Sequence, residues 1–377
     1  LIFFIMKIFN IITGLNNGGA EAILYRLCVH DISYKYIVIS LMDEGKYGRL
    51  LKEAGVAVYC LNMPAGRVTL SGLYKLFKLI RKFKPNIVQT WMYHADLIGG
   101  VIARLAGIKN VFWNIRHTTL EPGKSKRSTI FIAKLCAKLS KRVPKRIICC
   151  AEKAIEVHGS IGYDTSKMTV IANGYDLSSL HSIPNSQAQL SNELGDVFPL
   201  IGMVGRFDPQ KDHFGLLEAF TIVKKTGISH KLVLVGFEIN TFNIALIEKI
   251  QILGLKDEVL LLDQRNDIPT IMNSLDLHVL SSSSEGFPNV LAEAMACNTP
   301  CVTTDVGDAP LIVGDTGWVV PPKNPQALAD AILIALNEQQ TDPSTWISRK
   351  VACRKRIVDN FKIETMVERY HKVWTIK

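Results

Sequence analysis

Two glutamates, Glu285 and Glu293, bracket much of the stretch SSSSEGFPNVLAEAMACNTP (281–300), which is otherwise small, polar-uncharged or apolar. From Pro288 to Cys297 the stretch reads as a helix. Such a helix belongs in a core, where an unpaired charge costs several kcal/mol. Gly286 allows a tight turn, and Pro288 suits the first helical position. The amides of Phe287, Asn289 and Val290 would then point out of a helix N-terminus, a ready site for an anion. Glu285 lies on the loop side of that site, and Glu293 lies roughly 7–8 Å along the helix from Pro288 at about 1.5 Å per residue. The spacing suits a ligand with a phosphate in its middle and a hydroxyl-bearing group at each end, since a carboxylate chelates vicinal hydroxyls. The alternative is purely structural: one carboxylate at a helix start and one satisfied core glutamate.

Three more segments carry candidate chemistry. In VGRFDPQKDHFGLLEAF (204–220), Arg206 ends a strand and Lys211 precedes an amphipathic helix. Two cations at the mouth of a sheet can clamp a diphosphate and neutralise a departing one, although loop cations are more often merely solvated. In ITGLNNGGAEAILYRL (12–27), a strand, a glycine loop and a helix follow one another, and Gly18 and Gly19 permit close approach of a ligand. The segment is not G-x-G-x-x-G, and no acidic ribose ligand stands out between Tyr36 and Leu61, which argues against a nicotinamide site. In FWNIRHTT (112–119), Arg116 and His117 stand at a strand end. A histidine there is a functional candidate, while a lone histidine is more often a structural hydrogen bonder.

These residues need a scaffold of strand ends. Apolar runs at 7–13, 36–41, 56–61, 87–91, 111–115, 146–150 and 169–171 alternate with helical patterns such as 71–83, whose Leu73, Leu76, Phe77, Ile80 and Phe83 share a face. Residues 178–197 are polar and read as a linker. The alternation restarts with runs at 199–207, 231–237, 258–263, 277–282, 301–305 and 317–322. The expected fold is α/β, with two Rossmann-like doubly wound domains facing across a cleft. They span 1–177 and 198–360, and helix 361–377 is expected to pack back on the first. Ligands of such sheets bind beyond the carboxyl ends of the strands.

The chain of 377 residues is long enough for two such domains, and its hydrophobic fraction of 48% and charged fraction of 21% exclude disorder. A formal charge of +10 and a pI near 9.1 suggest an anionic partner. Eight cysteines without a C-x-x-C fit reduced buried thiols rather than disulfides or zinc. The opening LIFFIMKIFNII is too short for a membrane span and reads as a buried first strand, with Met6 a candidate start. Nothing in it predicts export, so a cytoplasmic protein is expected. KSKRSTIFIAKLCAKLSKRVPKR (124–146) holds many cations and no acid, and Lys134, Lys138, Arg142 and Lys145 fall nearly on one helical stripe. With Lys75, Lys78, Arg81, Lys82 and Lys84, they make a basic face that is either ordinary solvated surface or a match for an anionic membrane. Few aromatic residues interleave with these charges, so a nucleic-acid partner is not expected.

Taken together, these segments resemble the GT-B-fold retaining glycosyltransferases of family 4 over nearly the whole chain, most strongly over 199–335. Glu285 and Glu293 match the family's E-x7-E pair, which implies that Glu285 and the backbone after it hold the donor sugar and Glu293 the nucleotide ribose. Arg206 and Lys211 match its diphosphate-binding pair, and LLDQRNDIP (261–269) its base-contacting loop, placing Gln264 and Arg265 near the nucleobase. NNGGAE (16–21) matches the glycine loop, His117 the histidine near the reacting centre, and IANGYD (171–176) the turn into the inter-domain hinge. GDAPLIVGD (307–315) departs from the pattern by lacking the commoner acidic residue after its glycine.

The resemblance implies transfer of a glycosyl group from a UDP- or GDP-linked sugar to a hydroxyl of a lipid-linked or saccharide acceptor, with retained configuration. No Asp-x-Asp occurs, which agrees with chemistry that needs neither metal nor other cofactor. No residue stands out as a covalent nucleophile, so front-face departure is the expected route. The other readings are a nucleotide-sugar epimerase, a phosphorylase, for which no pyridoxal-binding lysine can be placed, and a non-catalytic nucleotide-sugar-binding subunit.

Overall fold

The structure, a computed structural model, describes residues 6–118, 120, 126–183, 199–228 and 230–376. Most of the expected linker, from 184 to 197, lies outside them. The chain divides into two compact units, one of Leu1–Gly174 with Ile363–Lys377 and the other of Tyr175–Lys362. The second unit thus takes in the chain from Tyr175, ahead of the expected linker. Tyr175 donates its backbone N–H to Phe361 (2.9 Å), forms a parallel bridge with Lys362, and donates its hydroxyl to Asn289 (2.6 Å).

The first unit holds seven parallel strands in the order β3-β2-β1-β4-β5-β6-β7, namely β1 (Lys7–Ile12), β2 (Lys35–Ser40), β3 (Ala57–Cys60), β4 (Ile87–Trp91), β5 (Val111–Ile115), β6 (Arg146–Cys149) and β7 (Met168–Val170). Its central strands are buried on both faces and largely apolar. Phe9 and Ile11 enter one core while Ile8 and Ile12 enter the other, as period-two side chains must. Helices α1 (Gly19–His30) and α2 (Gly45–Glu53) contribute to the core on the second face. On the first face α3 (Leu70–Phe83) and α5 (Arg127–Leu139) both contact α4 (Tyr93–Leu105), and α6 (Glu152–Ser160) follows β6.

The final helix of the chain, Ile363–Thr375, joins α1 on the second face through Met366, Tyr370 and Trp374. Buried polar groups fix it: Asn114 donates to the Tyr370 hydroxyl (2.7 Å), Trp374 donates to Gln89 (3.0 Å), and His371 pairs with Asp31 (2.6 Å).

The basic stripe is shorter than expected. Helix α5 ends at Leu139, so Arg142 and Lys145 lie beyond it. Pro144 has no N–H to continue the helix and disfavours helical backbone before it. Within α5 the exposed positions are Arg127, Ser128, Phe131, Lys134 and Lys138.

The second unit has six parallel strands, ordered β10-β9-β8-β11-β12-β13: β8 (Leu200–Val204), β9 (Lys231–Val235), β10 (Val259–Leu261), β11 (Leu277–Leu280), β12 (Cys301–Thr304) and β13 (Trp318–Val320). Helices α7 (His213–Lys224), α8 (Ile244–Ile252), α9 (Ile268–Ser274), α10 (Asn289–Ala296), α11 (Ala309–Val313), α12 (Pro325–Thr341) and α13 (Pro343–Asn360) accompany them.

One glycine in this unit bears on the site. Gly307 has φ +54°, and a Cβ there would collide with the carbonyl oxygens of Glu285 and Gly286, while Asp308 donates its N–H to Gly286 (2.9 Å). Gly307→Ala is expected to cost at least about 1–3 kcal/mol from the left-handed backbone alone. Thermal unfolding checks this, and an unchanged melting temperature would show that the close approach is not needed.

Candidate active site

In the second unit the site is built on the ends of β8 and β11. After β8 the chain makes a short 3-10 turn over Pro209–Lys211, in which the Asp208 carboxylate accepts the Gln210 N–H (2.9 Å). Asp212 then takes left-handed backbone, φ +52°, and caps α7 by accepting the Gly215 N–H (3.1 Å). This winding aims Lys211 at the loop after β11. There its ammonium meets Glu285 at 2.6 Å, and Ser282 donates its hydroxyl to the same carboxylate oxygen (2.7 Å).

The two loops are also joined directly, by Ser283 N–H to the Gln210 carbonyl (2.7 Å) and by the Ser281 hydroxyl to the Lys211 carbonyl (2.9 Å). The Lys211 and Glu285 side chains are only 17% and 14% exposed, so each compensates part of the other's charge away from bulk water. Arg206, by contrast, is 56% exposed and pairs with Asp208 at 3.0 Å, an arrangement that contributes little to stability.

Helix α10 begins one residue later than its sequence suggested. Pro288 has ψ 97°, which is extended, so it stands at the N-cap and not at the first helical position. Asn289, Val290 and Glu293 are the positions of α10 that are not buried. They share one side of the helix, as i, i+3 and i+4 spacing requires. Glu293 is therefore not a core carboxylate. Its neighbours Leu291, Ala292, Ala294 and Met295 are buried, whereas Glu293 is half-buried. Phe287 is buried edge-on against Phe361, with ring centroids 5.6 Å apart, and holds the Gly286 turn down.

Two histidines lie near Lys211. Burial first, and the Lys211 charge second, push His278 down to about 3 and His213 down to about 4. Both are neutral at physiological pH, so the positive charge here rests on Lys211 and Arg206. Beyond β10, Gln264 is exposed, whereas Arg265 forms a two-pronged pair with Asp267 (2.9 and 2.8 Å).

The first unit places its candidates at the ends of β1 and β5. Gly18 is the N-cap of α1 in extended backbone, and Gly19 is the first helical residue. A Cβ on Gly18 would collide with the Glu21 carboxylate, so in this fold the glycine makes room for a side chain of the same helix. Burial raises the Glu21 carboxyl above its ordinary pKa, offset in part by its own backbone N–H and by the Arg116 charge. The resemblance assigns no role to Glu21, which lies within NNGGAE. Its signal was available: it stands three residues after the N-cap, where a glutamate turns back on the helix start.

His117 is exposed and stacks on Tyr93, with ring centroids 5.7 Å apart and planes 19° apart. Tyr93 is buried, and its hydroxyl lies 2.6 Å from Nε2 of His158, whose Nδ1 lies 2.6 Å from the Ala154 carbonyl. A carbonyl only accepts, so Nδ1 carries the hydrogen and the Tyr93 hydroxyl donates to Nε2. Burial pushes His158 down to about 4, which keeps it neutral. No local sequence signal points to Tyr93 or His158, which are 65 residues apart. Arg116 donates to Asn173 (2.8 Å) and lies over the Trp91 ring at 5.4 Å.

Family models match both units. The model for Glycosyltransferase Family 4 matches residues 17–179, and that for Glycosyl transferases group 1 matches residues 188–350. The chain is a glycosyltransferase of the family 4/group 1 type. The transferase has the GT-B fold: it matches Anabaena Alr3699/HepE, solved in complex with UDP and glucose, with a TM-score of 0.85 over 99% of this chain and 100% of that one at 21% identity. It is 27% identical over 307 residues, covering 80% of this chain and 78% of the relative, to an Escherichia coli UDP-Gal:alpha-D-GlcNAc-diphosphoundecaprenol alpha-1,3-galactosyltransferase. It is 26% identical over 318 residues, 81% of this chain and 80% of the relative, to the capsular polysaccharide biosynthesis glycosyltransferase CapM of Staphylococcus aureus. These matches favour transfer over the epimerase and binding-subunit readings. Among the described residues no helix of the transferase is long and apolar enough to cross a membrane.

Proposed function

We propose that the transferase moves a sugar from a nucleoside-diphosphate sugar, UDP-linked in preference to GDP-linked, to a hydroxyl of a lipid-linked or saccharide acceptor with retained anomeric configuration. The setting is assembly of a cell-surface polysaccharide or glycolipid at the cytoplasmic face of a membrane. The observation that carries the reading is the Lys211–Glu285 pair, held at 2.6 Å by two stitched strand-end loops beside the start of α10. It offers a diphosphate a partly desolvated cation, and a sugar a carboxylate already fixed in place. Two relatives support the lipid-linked acceptor, since both the Escherichia coli galactosyltransferase and a Campylobacter jejuni N-acetylgalactosaminyltransferase carry diphosphoundecaprenol-linked acceptors in their names.

In the proposed reaction the acceptor oxygen bonds to the anomeric carbon on the face that the diphosphate leaves. The bond from that carbon to the phosphate oxygen breaks with its electron pair, and the acceptor proton passes to that same oxygen. Lys211, Arg206 and the amides around Phe287, Asn289 and Val290 offset the charge of the departing nucleoside diphosphate. They take the place of a divalent cation, so no metal or other cofactor is required. Glu285 with the Gly286 backbone positions the sugar, Glu293 the ribose, and Gln264 and Arg265 the base. The glycine loop at Gly18 and Gly19 belongs to the same donor-binding set, and His117 serves at the reacting centre. No nucleic-acid partner is proposed.

Screening purified protein against a panel of UDP- and GDP-sugars for hydrolysis and thermal stabilisation tests the donor. Glu293→Gln should keep the fold and weaken UDP binding about tenfold, since a hydrogen bond to a charged group contributes roughly 1.5–3 kcal/mol. Calorimetry with UDP decides it, and unchanged affinity would return Glu293 to a structural role.

A further inference from the structure

Phe237 is a large aromatic side chain, 56% exposed, at the carboxyl end of β9. Sheet order places it between the end of β8, which carries Arg206, and the end of β10, which leads into Gln264. Its backing is unusually fixed for a loop. The Phe207 N–H donates to the Phe237 carbonyl (2.9 Å), the Gly236 N–H to the Asp263 carbonyl (2.9 Å), and the Asp263 N–H to the Ile239 carbonyl (2.9 Å). Asn240 adds a side-chain bond to the Asp263 carboxylate (3.1 Å). Gly236 has φ +154°, and a Cβ on it would collide with the Gly205 carbonyl, so the ends of β8 and β9 meet backbone to backbone. Three strand-end loops are thus knitted into one floor that carries the exposed Phe237.

We infer that Phe237 is the stacking platform for the donor's nucleobase, a further positioning residue for the transfer reaction. The inference rests on the nucleotide-sugar donor reading above. With Arg206 on one side for the diphosphate and the exposed Gln264 amide on the other, a ring between them meets the part of a nucleotide that is flat and weakly hydrated on its faces. Stacking attracts any base through its π-face, and Gln264, with both a donor and an acceptor, reads the base edge. The Arg265 guanidinium, held by Asp267, stiffens the loop that carries Gln264.

Calorimetry with UDP and with inorganic pyrophosphate tests the platform. Phe237→Ala should bind UDP roughly tenfold to a hundredfold more weakly, as loss of a base–aromatic stack does, and should bind pyrophosphate like wild type. Phe237→Trp should retain UDP affinity and show quenched tryptophan emission when UDP is added. Phe242→Ala, which removes the 89% exposed aromatic farther along the same loop, should change neither affinity. Phe237→Ala that binds UDP like wild type, or that loses pyrophosphate affinity equally, overturns the platform and leaves the donor reading standing. Wild-type protein that binds no nucleoside diphosphate overturns the donor reading and the platform with it.

Discussion

Lys211→Ala should lower kcat/KM by about 10²–10³, the loss that follows removal of one preorganised group from developing transition-state charge, and should weaken UDP binding as well. The substitution has a second consequence. Glu285 is 14% exposed, and its carboxylate would keep its Ser282 bond while losing the cation 2.6 Å away. Removing one partner of a largely buried pair is strongly destabilising, so the single variant mixes lost catalysis with lost stability. Lys211→Ala combined with Glu285→Gln separates them. The double variant should regain most of the melting temperature and none of the activity. If it regains activity, Lys211 serves only to neutralise Glu285.

His117→Ala makes the contrast. His117 stacks on Tyr93 in the first unit, whereas the diphosphate ligands proposed for the reaction belong to the second. The variant should lower turnover and leave UDP affinity within about twofold of wild type, a change below roughly 0.4 kcal/mol. Equal losses of UDP affinity in Lys211→Ala and His117→Ala would remove that division of labour.

The strands were legible in the sequence because a parallel strand buried on both faces is a short apolar run, and few other segments of this chain look like one. The candidate site was legible where chemistry is local. Glu285 and Glu293 lie on one turn-and-helix segment, and Arg206 and Lys211 on one loop. What joins these segments is not local. Lys211 and Glu285 are 74 residues apart, and their ion pair follows from β8 and β11 being neighbours in a sheet whose order skips β9 and β10. The Tyr93–His158 bond beneath His117 is of the same kind. Pro288 failed as a first helical residue for a different reason: the chain is still extended there as it leaves the Gly286 turn, and helical backbone starts only at Asn289. The early end of α5 could have been read from Pro144, which stands inside the stripe that the charges suggested.

The shorter stripe leaves the proposed membrane contact to be tested on fewer helical cations. Helices α3 and α5 flank α4 on one face of the first sheet. On α3 the exposed positions include Leu70, Tyr74, Lys75, Lys78, Arg81 and Lys82, and on α5 Arg127, Phe131, Lys134 and Lys138, so each helix mixes cations with large apolar groups. Leu70 is 85% exposed and Phe131 62%. An interfacial face uses both, with apolar groups entering the headgroup layer and cations meeting anionic lipid. Each cation near such a surface contributes about 1 kcal/mol, and the attraction falls with salt. Lys134→Glu, Lys138→Glu and Arg142→Glu together therefore remove about 3 kcal/mol before any repulsion is counted, enough for more than about a hundredfold loss of partitioning. The triple variant should no longer sediment with anionic liposomes and should transfer slowly to a lipid-linked acceptor. It should still hydrolyse the donor in solution, because the residues proposed to bind the diphosphate lie in the other unit. Co-sedimentation at low and high salt is the measurement. Wild-type protein that ignores anionic liposomes at low salt would make the charge an ordinary solvated face and a soluble saccharide the better acceptor.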